Sequence, residues 1–482
     1  MDVEGKGKSP AGGLRILSGK RLIGYAIGTI GQMAPIGIFN TFATNYYNYT
    51  VGLDPLYTFL GMFFGLTTFA ISSPIFGTLI DNKNPGKLGK RRPFLLLGIP
   101  LIVLLMILAW TPPLCPTDGN VITNPQYLPT AIYFWIVAIA LYLNQGLLVS
   151  TYLSMLAEQT TDEENRVKVA TLQGIFSIIG TVISILLPII LQSQLADPND
   201  PLSLYHFNDD GSYLVNTLPY IGIIFGLLGA ISFIAVFAST DESFHKKKEK
   251  SMQNKVSLGE TFKRIMVPLK DKNYRYWMGN AFFFNMAIRV LIVILIPVLN
   301  FVLLLESNQF LLFFIALLPF ALGGYALWTR KIKSSGLKAS YGLSLQVNFV
   351  MSMVIFIFLV PMDFLLRFFL GAAVMGMLIS SLVGGYLFPN PIVSLLVDRA
   401  PNFIKEEAKK QNTALSGSYF GLYIFSYNIS QAIANVMLAF IITEQTKDDP
   451  ITIILTIPIA GVLVLISYLF LRKLKLPHKP KQ

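Results

Sequence analysis

The stretch "GTLIDNKNPGKLGKRRPFLLLGIP", residues 77–100, places one acid and five bases between positions 81 and 92, yet apolar runs of membrane length lie on both sides of it. About 20 consecutive apolar residues cross the hydrocarbon core of a bilayer as a helix. Working outward from this stretch, twelve such spans lie at about 22–49, 56–80, 93–111, 130–157, 169–192, 217–238, 276–304, 309–329, 341–361, 364–396, 413–442 and 452–471. Of the 482 residues, 53% are hydrophobic and 13% charged, and the mean hydropathy is +0.59. A chain so short of charge cannot clothe a soluble domain. The expectation is an all-α, multi-pass integral membrane protein with twelve transmembrane helices.

Where the bases fall explains the net charge of +12. Of 38 Lys and Arg, 35 lie before the first span, in the even-to-odd connections, or after the last span. The exceptions are Arg289 and Arg367 inside spans and Lys447 in a connection of the opposite face. Lys and Arg are retained in the cytoplasm during insertion, so both termini and all these connections are expected to be cytoplasmic in a cell membrane. The charge then sets topology and meets anionic membrane lipid, and nucleic acid is set aside as a partner. Met1 to Arg21 is polar and basic, and the apolar run after it exceeds a signal-peptide core, so the first span is expected to be retained. Cys115 stands alone and forms no internal disulfide. The glycosylation-like triplets at Asn48 and Asn428 read as chance matches.

The connection 239–275 is the longest of the basic ones and divides the spans six and six. The expected organisation is an N-terminal tail 1–21, a six-helix bundle 22–238, a linker 239–275, a second bundle 276–471 and a tail 472–482. In the linker, "SLGETFKRIM" offers Ser257 and Glu260 as a capping box for a short amphipathic helix on the lipid surface. Gly77 and Gly89 are twelve residues apart, as are Gly324 and Gly336, each pair between the second and third spans of its half. With the six-plus-six division, this echo favours two parallel six-helix repeats around a central cavity, the major facilitator fold, working as a monomer. In that fold the first and fourth helices of each half line the path.

The opening stretch resembles the cytoplasm-side motif of the glycoside-pentoside-hexuronide:cation symporters, the family of the melibiose carrier. Similar to that family, in order, are "GIFNTFATNYYNYTVGLDP" ending span 1, "SMLAEQTTDEENRVKVATLQGIF" joining spans 4 and 5, "YLFPNPIVSLLVDRA" in span 10 and "GSYFGLYIFSYNISQAIANVMLA" in span 11. The resemblance implies solute transport coupled to a cation, sodium or proton. It also shows departures. The two span 2 acids of sodium-coupled members fall on Phe69 and Ser73, the acids of spans 1 and 4 on Met33 and Val149, and the span 11 lysine on Asn428. A hard cation needs oxygen ligands, at least one usually anionic, so the coupling chemistry does not carry over. His206, His245 and His478 all lie in connections, which removes the usual intramembrane proton carrier.

Arg289 is the charge set deepest in a span, and an unpaired guanidinium there costs at least about 3 kcal/mol. Helix carbonyls, amide oxygens, water or an anionic solute group would answer it. A structural role and a solute- or gate-binding role both fit, and a forked guanidinium suits a carboxylate or phosphate. Asn285 lies one turn before it. Asn428, Gln431 and Asn435 recur on one face of span 11, and Thr41, Thr44, Asn45 and Asn48 on span 1; Gln32, Asn40, Asn144, Gln145 and Asn390 are further polar positions. Amides donate and accept, as a polyol requires, although interhelical bonding worth about 0.6 kcal/mol each is the plainer role of any single one. "GGYLFPNPIV", Gly384 to Val393, breaks span 10 and brings Tyr386 and Asn390 towards the path. At the cytoplasmic side, Asp81, Arg91 and Arg92 are expected to exchange partners with acids such as Glu158 and Asp398 as a latch between the halves.

No nucleophile, metal cluster or nucleotide loop is present in the sequence, so neither an enzyme, a metal site nor ATP-driven pumping is expected, and no cofactor. The leading expectation is a secondary transporter of a small polar solute, a sugar or sugar acid, by alternating access. A carrier of an organic anion or lipid-like amphiphile, a facilitator, and a transport-fold sensor stand beside it.

Overall fold

A computed structural model describes residues 16–160, 163–192, 201–242, 257–410 and 415–476. Span 1 is built from α1 (Gly19–Ala26) and α2 (Gly28–Asn45) and ends in a π-turn, Tyr46–Val51. Spans 2 to 6 are α3 (Pro55–Asn82), α4 (Arg92–Leu108), α5 (Leu128–Gln159), α6 (Glu163–Gln192) and α7 (Asp209–Ser239). After the linker helix α8 (Leu258–Met266) come α9 (Lys272–Pro297), α10 (Ser307–Ser335) and α11 (Leu337–Val354). Span 10 is α12 (Phe364–Leu387) followed by α13 (Pro389–Asp398); a short helix α14 (Asn402–Lys410), α15 (Leu415–Ile441) and α16 (Pro450–Lys473) complete the chain. Eleven of these segments are long and apolar enough to cross a membrane. The twelfth, α4, has 17 residues, which rise about 26 Å, close to a hydrocarbon core of about 30 Å.

The sequence starts and stops these helices by ordinary means. Asp54, Asp271 and Asp449 each accept a first-turn backbone N–H, and Pro55 and Pro450 occupy the next position, where no N–H is required. Span 10 breaks at Phe388, between the glycines and prolines that predict it. Outside the expected elements are α14 and a small hairpin, Thr117–Asp118 with Val121–Ile122.

Helix pairing repeats between the halves. Spans 2 and 4, 3 and 6, 1 and 5, and 1 and 6 pack in the first half, and 8 and 10, 9 and 12, 7 and 11, and 7 and 12 in the second. The echo extends to the π-turn: α9 ends in Val298–Val302, as α2 ends in Tyr46–Val51. Left-handed residues follow both, Gly52 at φ 79° and Leu304 at φ 52°. Leu304 lacks the freedom of glycine, and that conformation costs it about 1–2 kcal/mol.

Between the halves, α3 lies along α15, while α2 meets α9 and α6 meets α10 more sparingly. We call the end carrying the connections 83–91, 257–271 and 399–410 the base-rich face, and the end carrying 109–127, 201–208, 303–306 and 442–449 the far face. The linker helix α8 packs across α3 of one half and α15 of the other. Its Ser257 accepts from the Glu260 N–H as predicted, but Glu260 turns to Arg264 at 3.4 Å, so half of the capping box forms.

Candidate functional site

The centre of the bundle is organised by Arg289, which is 1% exposed. Its position on α9 places it against both halves. Nη1 donates to the Asn40 carbonyl of α2 at 2.8 Å, whereas Nε and Nη2 both donate to Asn435 Oδ1 on α15, at 3.2 and 3.1 Å. Asn435 is fixed in turn, because its Nδ2 donates to the Gln431 carbonyl at 2.8 Å. Tyr142 of α5 donates its hydroxyl to Asn40 Oδ1, and Tyr427 shares a hydrogen bond with the Gln431 side chain. A guanidinium carries five N–H donors. Three are used among the described residues, which leaves one on each terminal nitrogen. The arginine therefore bridges the N-terminal and C-terminal halves and retains donors suited to an anion.

The predicted amides divide into two groups. Asn40 and Gln431 join the Arg289 cluster directly. Gln145 ties α5 to α2: its Nε2 donates to the Gln32 carbonyl at 2.7 Å while its Oε1 is buried with no hydrogen-bond partner among the described residues. Such an oxygen costs about 1–3 kcal/mol and is an acceptor awaiting a donor. Asn285 and Asn428 are buried but return their amides to the carbonyls one turn back, Ala281 and Ile424. Asn144 points elsewhere and donates to the Gly98 carbonyl, tying α5 to α4. Asn390 is exposed in the first turn of α13, and the side chain of Tyr386 lies outside the described ones. Tyr142 was not foreseen; its place one turn before Gln145 was the available signal.

The family's cation positions come together, but in an apolar setting. Phe69, Ser73 and Val149 line a cavity of about 190 Å³ near the base-rich face with Ile265 of α8 and Ile424 and Phe425 of α15. Ser73 donates to the Phe69 carbonyl at 3.0 Å, and Ser150 to the Ser73 carbonyl at 2.9 Å. Two hydroxyls already bonded, with no carboxylate among the described lining residues, offer a hard cation few ligands. Among the described residues no group of three or more His, Cys, Asp or Glu comes together.

The expected latch is distributed differently. Arg91 and Arg92 offer their backbone N–H groups to Glu242, and the Arg92 guanidinium binds the Phe237 and Thr240 carbonyls and lies 4.7 Å over the Phe237 ring. These bonds clasp the 83–92 connection to the end of α7, in the same half. Asp398 is exposed, its carbonyl accepting from Lys405, and the side chains of Asp81 and Glu158 lie outside the described ones.

A stronger inter-half contact closes the far face, and the sequence reading passed over it although Lys447 is the sole base in those connections. Lys447 is 1% exposed; Nζ donates to the Asn48 carbonyl at 3.2 Å and to Glu444 Oε1 at 2.7 Å, and lies near the rings of Tyr49 and Tyr205. The Tyr49 hydroxyl donates to the Lys447 carbonyl at 2.7 Å, and its ring meets Phe301 at 5.6 Å. Burial lowers the proton affinity of Lys447, but Tyr205 and Glu444 more than offset this and hold it above the ordinary lysine value. Burial raises the Glu444 and Asp448 carboxyls and depresses His206.

The family model of MFS/sugar transport proteins matches residues 24–471. An uncharacterized symporter of Bacillus subtilis, YjmB, is 30% identical over 165 residues, 34% of this chain and 33% of that one, so the chain spans a third of the length of the curated relative it matches. Among solved structures, a nucleoside transporter, NupG, superposes with TM-score 0.60 at 12% identity over 95% of this chain and 100% of its own. A D-xylose-proton symporter superposes with TM-score 0.58 at 15% identity over 95% and 98%. At these identities the likeness is one of fold. The matched families are transporters rather than enzymes, and the chain belongs to the MFS/sugar transport protein family.

Proposed function

We propose that the chain carries a small polyhydroxylated acid, a sugar acid of the uronate kind, by alternating access, with its carboxylate on Arg289 and its hydroxyls on the surrounding amides. The observation that carries this reading is the Arg289 bridge, which has two N–H donors without a partner among the described residues and ties α9 to the Asn40 carbonyl of the other half. A carboxylate binding those donors competes with the Asn40 bond. Solute arrival then loosens the mid-membrane tie between the halves, and binding energy is spent on the conformational step. The unpartnered Gln145 Oε1 is an acceptor for a solute hydroxyl. No sodium donor set forms among the described residues at the positions the resemblance assigns to the cation, and on this proposal the carrier works without a sodium gradient. The base-rich face is cytoplasmic by the distribution of Lys and Arg, the membrane is that of the cell, and the protein acts as a monomer.

Thermal unfolding of purified protein against matched pairs of hexuronates and neutral hexoses tests this. Uronates should raise Tm and neutral sugars should raise it less. In Arg289→Gln the preference should vanish. A neutral sugar that stabilises wild type and Arg289→Gln equally, with no uronate effect, overturns the reading.

A further inference from the structure

We propose a binding site for one anionic phospholipid between α11 and α16 on the lipid-facing side of the C-terminal half. Two cavities meet there. The first, about 370 Å³, opens at the base-rich face and is lined by Lys338, Arg472, Gln346 and Tyr468. The second, about 360 Å³, continues from Gln346 and Tyr468 along Phe349, Val350 and Leu465. The groove thus begins with two cations and ends with hydrocarbon.

Its dimensions match a single leaflet. From Lys338 to Phe349 the helix rises about 16 Å, and half of a hydrocarbon core is about 15 Å. Lys338 Nζ donates to the Arg472 and Leu474 carbonyls at 3.0 and 2.6 Å, which among the described residues leaves one N–H. The Arg472 guanidinium is exposed and has no hydrogen bond among the described residues. The first-turn N–H groups of α11 add partial positive charge, since Gly336 offers no capping side chain. Gly342 lies on the groove floor, where an added Cβ would come into ordinary contact with the Tyr468 ring at 3.4 Å. The Tyr468 hydroxyl, accepting from Gln346 at 3.0 Å, marks the polar boundary. A phosphate fits the mouth and an acyl chain the channel beyond it. Basic pockets between transmembrane helices are the setting in which anionic head groups are held.

Native mass spectrometry of detergent-purified full-length chain, titrated with phosphatidylglycerol or phosphatidylcholine, reads the site directly. One phosphatidylglycerol should bind in preference to phosphatidylcholine. Arg472→Gln, which breaks no described bond, should weaken it about fivefold, and Val350→Trp, which fills the channel at a lipid-exposed position, should displace it. Glycerol phosphate without acyl chains should not compete at equal concentration. Equal binding of both lipids, unchanged phosphatidylglycerol binding in both variants, or full competition by glycerol phosphate overturns the proposal.

Discussion

At the far face the halves meet through a buried ammonium, a glutamate, two tyrosines and the Asn48 carbonyl, joined by directional bonds of 2.7 to 3.2 Å. At the base-rich face α3 lies along α15, and among the described residues Phe262, Ile265 and Met266 of α8 pack against both, with one hydroxyl pair, Thr78 to Thr261 at 2.8 Å. The first contact resists opening until several bonds break together. The second can slide, because apolar contacts are not directional. Under the proposed alternating-access cycle the difference assigns the two ends different steps: directional bonds at the far face set a threshold, while the described apolar contacts of α8 offer a graded one.

The only cysteine, Cys115, reports on this contrast. It is buried at the far face, its N–H donates to the Val51 carbonyl, and burial pushes its thiol up to about 11. Far-face opening is measured by its labelling with a membrane-impermeant thiol reagent. Lys447→Met should give the largest effect. Removing one partner of a buried ion pair costs about 3–5 kcal/mol, less here because Glu444 is one-quarter exposed. Labelling should accelerate by at least about tenfold, the equivalent of about 1.4 kcal/mol. An unchanged rate would mean that the seal lies elsewhere.

Phe262→Ala works on the other end and should have the opposite sign. Loss of part of a half-buried ring removes about 1–2 kcal/mol of apolar contact, so the base-rich face opens more readily and Cys115 labels more slowly. Faster labelling would place α8 outside the gate.

The pH response sharpens the comparison further. Glu444 and Asp448 hold protons more tightly in the sealed form than in water, so as pH falls towards their raised range the seal gains stability, and it loses that gain as pH rises through it. His206 is depressed when buried, so below about 6.5 its protonation favours the open form. With each rate corrected for the thiolate fraction of Cys115, His206→Gln should therefore leave acid slowing the opening that labelling reads, and Glu444→Gln with Asp448→Asn should leave acid accelerating it. Identical pH profiles in both variants contradict these assignments. The smallest effect is expected from Leu304→Gly, which relieves the left-handed strain and should raise thermal stability by about 1 kcal/mol.

The bilayer makes the architecture easy to read, since every crossing must be an apolar helix, and Gly384, Gly385, Pro389 and Pro391 announce the break in span 10. The site was less legible. Asn144 and Gln145 are adjacent in sequence, but a helix turns about 100° between them, so one ties α5 to α4 and the other faces the centre. Arg289 was visible as a charge, but its inter-half partner is a backbone carbonyl, which has no residue signature. Lys447 escaped notice as a gate because a base in a short connection reads as solvated until Tyr49, Asn48 and Tyr205 of the other half are placed around it.

The most direct test of the central claim is uptake of labelled hexuronate into liposomes containing wild type or Arg289→Gln, beside a neutral hexose and with and without a sodium gradient. The account predicts hexuronate flux in wild type that exceeds hexose flux, falls at least about tenfold in the variant, and does not change with sodium. Hexuronate flux that survives in Arg289→Gln, or that requires sodium, would contradict it.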